Sequence, residues 1–259
     1  MRFALRDGER VEATPGGAGQ CPGCGAELIA RCGTVNVHHW AHKGRRHCDP
    51  WWENETDWHR AWKAKFPLEW QEVPARDEAG ELHIADVKTP AGRVVEFQHS
   101  AIAREEVAIR TRFHRPIVWV VDGLRRKTDH RQIERALSDA HKSRVPGGMV
   151  YEFHYLEFTR LLRDWVGLGC PVAFDFGHRA GFNRGPDENG CYENDDLLLV
   201  HATRRRGDVL ISAFGFFVPR DGFVRSVREG NELPMVRFDV TKPRSRGEAP
   251  RHYPAAVVL

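Results

Sequence analysis

The clearest hydrophobic pattern in the chain lies in its middle. Across residues 53–66 the aromatics Trp58, Trp62 and Phe66 recur every four positions, the spacing of a helix with one buried stripe, and Pro67 ends it. Residues 68–73 then read as a strand closed by Pro74 and the polar loop 75–80. Leu82–Lys88 is a second strand and Val94–Gln98 a third, with Pro90 and Gly92 marking the turn between them. Ser100 is placed to cap a following helix whose apolar side would hold Ile102, Val107, Ile109 and Phe113, and Pro116 stops it. The unbroken apolar run at 117–121 reads as a strand buried on both faces, and a further helix is expected over about 129–142. The resulting order, α-β-β-β-α-β, closes on a strand–helix–strand step, the connection that makes parallel, right-handed pairs.

The flanks differ in texture. Residues 1–50 are rich in Gly, Cys and His and carry no sustained period. From about 146 onward the chain is rich in Phe, Gly and Arg, with strand-like runs at 172–176, 197–201, 209–218 and 236–240 and turn signals such as Arg220-Asp221-Gly222-Phe223. These runs either extend the central sheet or form a separate β-rich unit, and 242–253 reads as a Pro- and Arg-rich surface extension. Three regions are therefore expected: 1–50, 51–145 and 146–259. Trp51, Trp52, Trp58 and Trp62 fall close together, the mark of a dense local core.

Composition narrows the function classes. With 259 residues, 41% hydrophobic and 29% charged, the chain has an ordinary globular balance and is not expected to be disordered. A net charge of +3 excludes a histone-like binder that works by bulk charge, while leaving room for a local basic groove. No apolar run approaches the roughly 20 residues of a membrane span, and the opening MRFALRDGER is charged where a secretion leader is apolar. A cytoplasmic, reducing setting is expected. The six cysteines then read as metal ligands or thiols before disulfides, with Cys170 and Cys191 as buried thiols.

Two clusters carry chemistry. If 89–93 is a five-residue loop, Lys88 faces Val94, Val87 faces Val95 and Asp86 faces Glu96, with Cβ atoms roughly 4.5–5.5 Å apart. Two opposed carboxylates repel, and a divalent cation between them turns that cost into a site. Gln98 points to the same side as Glu96, and the Phe97 carbonyl is a further hard ligand. Glu55, three residues before Trp58, shares the aromatic stripe and needs a partner there, with His59 on a neighbouring line of the helix. The second cluster is Cys21-Pro22-Gly23-Cys24, followed by His39-Trp40-Ala41-His42, a Cys₂His₂ set with the spacing of a structural zinc site. Cys32, His38, His47 and Cys48 lie close by, and Cys48 in place of one His is the alternative closure. A small Gly-rich segment with almost no core would depend on that metal to fold.

These residues together resemble the competence protein CoiA-like nucleases of the PD-(D/E)XK superfamily. The resemblance covers about residues 20–125. It rests on Ala85-Asp86-Val87, on Glu96-Phe97-Gln98 followed by Ser100, on Arg110, on the helix Glu55-x-x-x-His59-x-x-x-Lys63, and on Cys21-Pro22-x-Cys24 with His39-Trp40-x-His42-Lys43. It implies an α/β, restriction-endonuclease-like αβββαβ core with an N-terminal zinc-binding module and a β-rich C-terminal region. It also implies a hydrolase cleaving phosphodiester bonds in nucleic acid, DNA above all. Asp86, Glu96 and the Phe97 carbonyl would hold Mg²⁺ or Mn²⁺, with Glu55 reaching a second ion. Gln98 stands where the superfamily usually has Lys, so His59 or Lys63 is called on to compensate. Lys63, Arg110, Arg125, Arg126 and Lys127 become candidate nucleic-acid contacts, beside the short runs Arg45-Arg46 and Arg204-Arg205-Arg206. The competing readings are a catalytically inactive nucleic-acid-binding accessory protein and a zinc-stabilised protein-interaction module.

Overall fold

The stretch without periodic signal is built from strands. The computed structural model describes residues 1–44, 48–51, 55–145, 148–177, 196–233, 236–238 and 256–258. In it β1 (Phe3–Arg6), β2 (Glu9–Glu12), β3 (Ala18–Gln20), β4 (Glu27–Arg31) and β5 (His39–His42) form an antiparallel sheet in the order β2-β1-β3-β4-β5. Strands this short do not show an alternating period in sequence. The β1–β2 hairpin turns on Asp7 and Gly8, both at positive φ (53° and 84°), the two-residue turn whose twist matches the strands it joins. Trp40 is buried with Ala4, Ala13, Leu28, Cys21 and Cys48, and its indole N–H donates to the Val11 carbonyl at 3.0 Å. The N-terminal module thus has a small core of its own, where the sequence predicts almost none.

The chain divides into two units, Met1–Ser100 with Arg112–Ile117, and Ala101–Thr111 with Val118–Leu259. In the first unit the small sheet is followed by α1 (Asp57–Lys63), a 3₁₀ turn Leu68–Trp70, and the antiparallel strands β6 (Gln71–Arg76), β7 (Leu82–Lys88) and β8 (Val94–Gln98). α1 is shorter than the aromatic spacing predicts, because Thr56 caps it: the hydroxyl accepts from His59 N–H at 3.3 Å. Glu55 therefore precedes the helix and is not on its stripe, and Trp52 and Glu53 lie outside the described residues. The side chains turned inward are His59, Trp62, Lys63 and Phe66, with Trp58 half-buried. Thr56→Ala is expected to cost about 1 kcal/mol, read as a lowered urea midpoint. β6 starts later than predicted and continues through Pro74, which pairs with Ile84. β6 ends the strand order, and an edge position tolerates the missing proline N–H.

α2 (Arg104–Phe113) starts beyond Ser100, which does not cap it. Its buried positions are Val107, Arg110 and Thr111, whereas Ile109, expected on the apolar side, is 45% exposed. The second unit continues with β9 (Ile117–Asp122), α3 (Asp129–Asp139), β10 (His141–Val145), β11 (Gly148–Phe153), a 3₁₀ turn Leu156–Phe158 and α4 (Arg160–Trp165). It ends with β12 (Val172–Asp175), β13 (Asp196–Arg206), β14 (Val209–Pro219), α5 (Arg220–Arg228), and a pair formed by β15 (Val236–Phe238) and β16 (Ala256–Val258). Its strands follow the order β10-β11-β14-β13-β12-β9, antiparallel except that β12 runs parallel to β9. The C-terminal strands therefore extend the sheet to which β9 belongs. β9 is buried along its whole length, as its apolar run predicts.

Two expectations fail in this half. The segment read as a turn, Arg220 to Phe223, opens α5: Phe223, Val224 and Val227 are buried at helical spacing, and that burial outweighs the local Asp-Gly signal. The helix expected to reach 142 ends at Asp139 because His141–Val145 pairs with β11. Cys170 is half-buried beside the Thr111 hydroxyl, while Cys191, His47, Arg45, Arg46 and 242–253 lie outside the described residues. No helix among the described residues is long and apolar enough to cross a membrane.

Candidate functional site

The pairing counted from the turn is observed at its first two steps: Lys88 faces Val94 and Val87 faces Val95. At the next step side chains take over from the backbone ladder. Asp86 N–H donates to Glu96 Oε1 at 3.1 Å, and Phe97 N–H donates to Asp86 Oδ2 at 3.0 Å. Each carboxylate thus satisfies a strand N–H that the ladder would otherwise have to satisfy. The repulsion expected of the opposed pair is offset by these donors and by a nearby cation. Glu96 is buried while Asp86 keeps 23% of its side chain exposed, so the pair is reachable from solvent on the aspartate side.

That cation is Lys63, which α1 carries into the unit with only 5% of its side chain exposed. Its ammonium lies 2.9 Å from Glu55 Oε1, 3.1 Å from Glu72 Oε1 and 3.6 Å from Asp86 Oδ1. Burial opposes its charge, but Glu72, Asp86 and Glu55 together raise its pKa above the usual lysine range. Glu72 is pushed up by burial, yet Lys63, the ammonium of Met1 and the Arg2 N–H hold its carboxyl at about 2. Arg2 N–H donates to Glu72 Oε1 at 2.8 Å and Phe3 N–H donates to Glu72 Oε2 at 3.1 Å, tying β1 to this centre. Glu55 is likewise lowered: its burial is outweighed by Lys63 and by Arg60, 2.8 Å away. Glu72 carries no sequence signal. It sits at φ 48°, an uncommon conformation for a non-glycine residue, and only the fold turns it to Lys63.

The remaining predicted residues gather here in different roles. His59 Nε2 donates to the Phe97 carbonyl at 3.0 Å, while its Nδ1 accepts from the Thr56 hydroxyl at 2.9 Å. The carbonyl expected to face a metal is thus held by a histidine. Gln98, buried, donates its amide to the Ser100 carbonyl and hydroxyl, both at 3.3 Å, and so secures the strand exit. His114 Nε2 stands 3.9 Å from Glu96 Oε1. The donor set around Asp86 and Glu96 is hard oxygen, the type that suits Mg²⁺ or Mn²⁺.

The cysteine and histidine cluster corrects one ligand. Cys21, Cys24, His42 and Cys48 bring their ligand atoms within 4.8 Å of one another. Cys21 Sγ is 3.5 Å from Cys48 Sγ, and Cys24 Sγ is 3.4 Å from His42 Nε2. A tetrahedral zinc with bonds near 2.0–2.3 Å puts its ligands roughly 3.5–3.8 Å apart, so this Cys₃His set could hold a structural zinc. His39 is not in the set. It and His42 lie three apart on β5, and in a strand odd spacing sends side chains to opposite faces. Its Nδ1 instead bonds the Val37 carbonyl at 2.9 Å. Burial pushes the Cys21 and Cys48 thiols up, while at Cys24 the Ala26 N–H and the neighbouring thiols outweigh burial and lower it. Gly23 sits in close quarters: a Cβ there would lie 3.0 Å from Leu82 Cδ2 and 3.3 Å from Cys48 Sγ, so a larger residue would have to displace them by a few tenths of an ångström.

Asp49, the residue after Cys48, joins this cluster to β7. Its carboxylate accepts from Ile84 N–H at 2.9 Å and contacts His83 Nδ1 at 3.0 Å, with Trp51 stacked on the His83 ring. No spacing rule would have found Asp49.

The expected nucleic-acid contacts are mostly withdrawn from solvent. Arg110 is buried and bonds Glu106 through Nε at 3.0 Å. Arg125 has 3% of its side chain exposed and lies 3.7 Å from Asp129. Lys63 is committed to the carboxylates, and Arg126 is mostly covered beside Asp164. Lys127 is exposed. The sequence pattern of adjacent basic residues cannot separate α3's buried approach from a solvated face.

The fold and these two centres define a mixed α/β protein with a Cys/His metal-ligand cluster near its N-terminus. Residues 18–50, which hold that cluster, match the family model described as competence protein CoiA, N-terminal domain, and over this segment the chain is CoiA-like. No curated protein and no solved structure matches the chain.

Proposed function

We propose that the chain is a divalent-metal-dependent nuclease that hydrolyses phosphodiester bonds in nucleic acid, DNA in the first place. The observation that carries this reading is the pair Asp86 and Glu96, on adjacent strands and joined by hydrogen bonds, with a lysine ammonium 3.6 Å from Asp86. Asp86, Glu96 and the Phe97 carbonyl would hold Mg²⁺ or Mn²⁺, which supplies Lewis acidity toward a phosphate oxygen and an acidified water. Lys63 keeps Glu55 and Glu72 ionised and places a positive charge 3.6 Å from Asp86 Oδ1. His59 fixes the Phe97 carbonyl in direction. The lysine that the motif lacks at Gln98 is replaced in charge, from α1, by Lys63. The match at residues 18–50 supports a competence-related role for this activity.

A second reading has an observation in its favour. Gln98 is engaged with Ser100, and Lys63 is engaged with three carboxylates, an arrangement equally suited to a retained fold without cleavage. Cleavage of single- and double-stranded DNA and RNA, with and without Mg²⁺ or Mn²⁺, separates the two. Wild type is expected to cut only with metal, and Asp86→Ala to lose at least about 10³-fold of that rate with its melting curve retained, metal-held charge stabilisation being worth several kcal/mol. Wild type that binds nucleic acid but cuts none of the four substrates supports the accessory reading.

A further inference from the structure

Most of the basic side chains named from the sequence motifs are withdrawn from solvent, whereas in the second unit two exposed arginines, Arg160 and Arg163, follow closely in the chain on two exposed aromatic rings. Tyr155 and Phe158 flank the 3₁₀ turn Leu156–Phe158 and are 72% and 76% exposed. Their ring centroids are 6.4 Å apart, with planes tilted by 40°. The turn is held from below by buried Leu156, Thr159, Leu161 and Leu162, and Phe158 N–H donates to the Tyr155 carbonyl at 3.0 Å. Tyr155 adopts φ 52° and ψ 48°, a left-handed conformation that a bulky residue enters at a cost. That cost is spent on a backbone that presents both rings to water.

A singly exposed aromatic is ordinary. Here the helix that follows the turn, α4, carries Arg160 and Arg163. On α4, Asp164 is approached by Arg163 at 3.1 Å, Arg160 at 3.4 Å and Arg126 at 3.7 Å. At the end of the same helix Arg104 donates to the Arg163 and Val166 carbonyls, at 2.6 and 2.8 Å, and Arg205 to the Gly167 carbonyl at 2.9 Å. Asp164 and the buried Asp129 are thus set against Arg125, Arg126, Arg160 and Arg163, and of these Arg160 and Arg163 have side chains 51% exposed. Glu157 is the exposed acid within the turn.

We propose that this face binds single-stranded nucleic acid, with unpaired bases stacking on Tyr155 and Phe158 and phosphates meeting Arg160 and Arg163. Exposed rings beside guanidiniums are the pairing that single strands use: every base has a π-face, and the backbone brings one negative charge per nucleotide. A duplex keeps its bases stacked inside and has none to offer the rings. An apolar protein partner would cover the rings without needing the arginines. The inference extends the nucleic-acid reading and requires neither Asp86 nor a catalytic metal.

The test is fluorescence anisotropy of the full chain with labelled oligonucleotides of about 16 nucleotides, single-stranded DNA, single-stranded RNA and duplex DNA, without added Mg²⁺ and without chelator. Wild type is expected to prefer the single strands and to weaken as salt rises. Tyr155→Ala with Phe158→Ala should weaken binding by about 30-fold or more, since each stacked base is worth at least about fivefold. Phe158→Leu, which keeps apolar bulk without a π-face, should also weaken it, and Tyr155→Phe should not. Arg160→Gln with Arg163→Gln should flatten the salt dependence, and Glu157→Gln should tighten binding. The proposal is overturned if the double alanine variant, with an unchanged melting curve, binds as wild type does, if duplex is preferred, or if binding ignores salt, which marks a protein-docking surface. Failure of metal-dependent cleavage leaves these outcomes unchanged, so the two readings fall separately.

Discussion

Cys48→Ser is expected to strip the chain of one zinc and to melt the N-terminal sheet, whereas His39→Ala keeps both. The contrast follows from geometry. Cys48 Sγ stands 3.5 Å from Cys21 Sγ inside the cluster, and His39 faces the other side of β5 and bonds Val37. Structural zinc binds small modules with roughly 10–16 kcal/mol, much of which is folding free energy. The module has Trp40 and its neighbours as an independent core, so only part of that sum should appear as lost stability. A loss of about 3 kcal/mol would already lower the melting midpoint by roughly 12 °C or more in a unit of this size. Metal content per chain, read beside the melting curve for wild type, Cys48→Ser, His42→Ala and His39→Ala, checks it. Equal zinc loss in the two histidine variants would reject the Cys₃His assignment.

What the sequence makes legible follows from where its information is local. A five-residue turn is enough to set Val87 opposite Val95, and one step further on Asp86 and Glu96 are joined by hydrogen bonds from side chain to backbone. The apolar run of β9 reads correctly because burial on both faces leaves no other composition. The Cys21 and Cys24 pair declares itself through the glycines of its knuckle, but the other two ligands depend on what the intervening chain becomes. Reading His39 and His42 as partners assumes that residues three apart share a face, which is true of a helix and false of β5. Glu72 is the opposite case: its role depends on a positive φ and on a lysine nine residues away on another element. Nothing in a run of alternating residues reports either. Arg110 and Arg125 fail for a related reason, because charge in a sequence does not say whether an acid on the next helical turn has claimed it.

Lys63→Met should destabilise the fold by about 3–5 kcal/mol at neutral pH, the cost of removing one partner from a buried ionic group. The lysine is almost wholly withdrawn from water, so solvent does little to screen the loss. With the ammonium gone, Glu55 and Glu72 are left as charges that burial already opposes, and their pKa values should climb. The pH dependence then has a definite sign. In wild type Glu72 is held at about 2, below its ordinary 4.5, so its ionisation contributes stability that is present above 4.5 and lost as pH falls toward 2. Lys63 is raised above its ordinary 10.5, so its contribution is complete below that value and lost only at higher pH. In the methionine variant the carboxylates can be neutralised by protons instead, and acid relieves it while eroding wild type. The difference in unfolding free energy, measured in urea, should therefore be largest near pH 7 and shrink as pH falls through the carboxylate range. The double variant Lys63→Met with Glu72→Gln should recover part of the loss at pH 7, because removing both members of a buried pair is far cheaper than removing one. A penalty independent of pH would show that Lys63 acts through packing alone, and the charge balance proposed for the Asp86 and Glu96 site would then lack its cation.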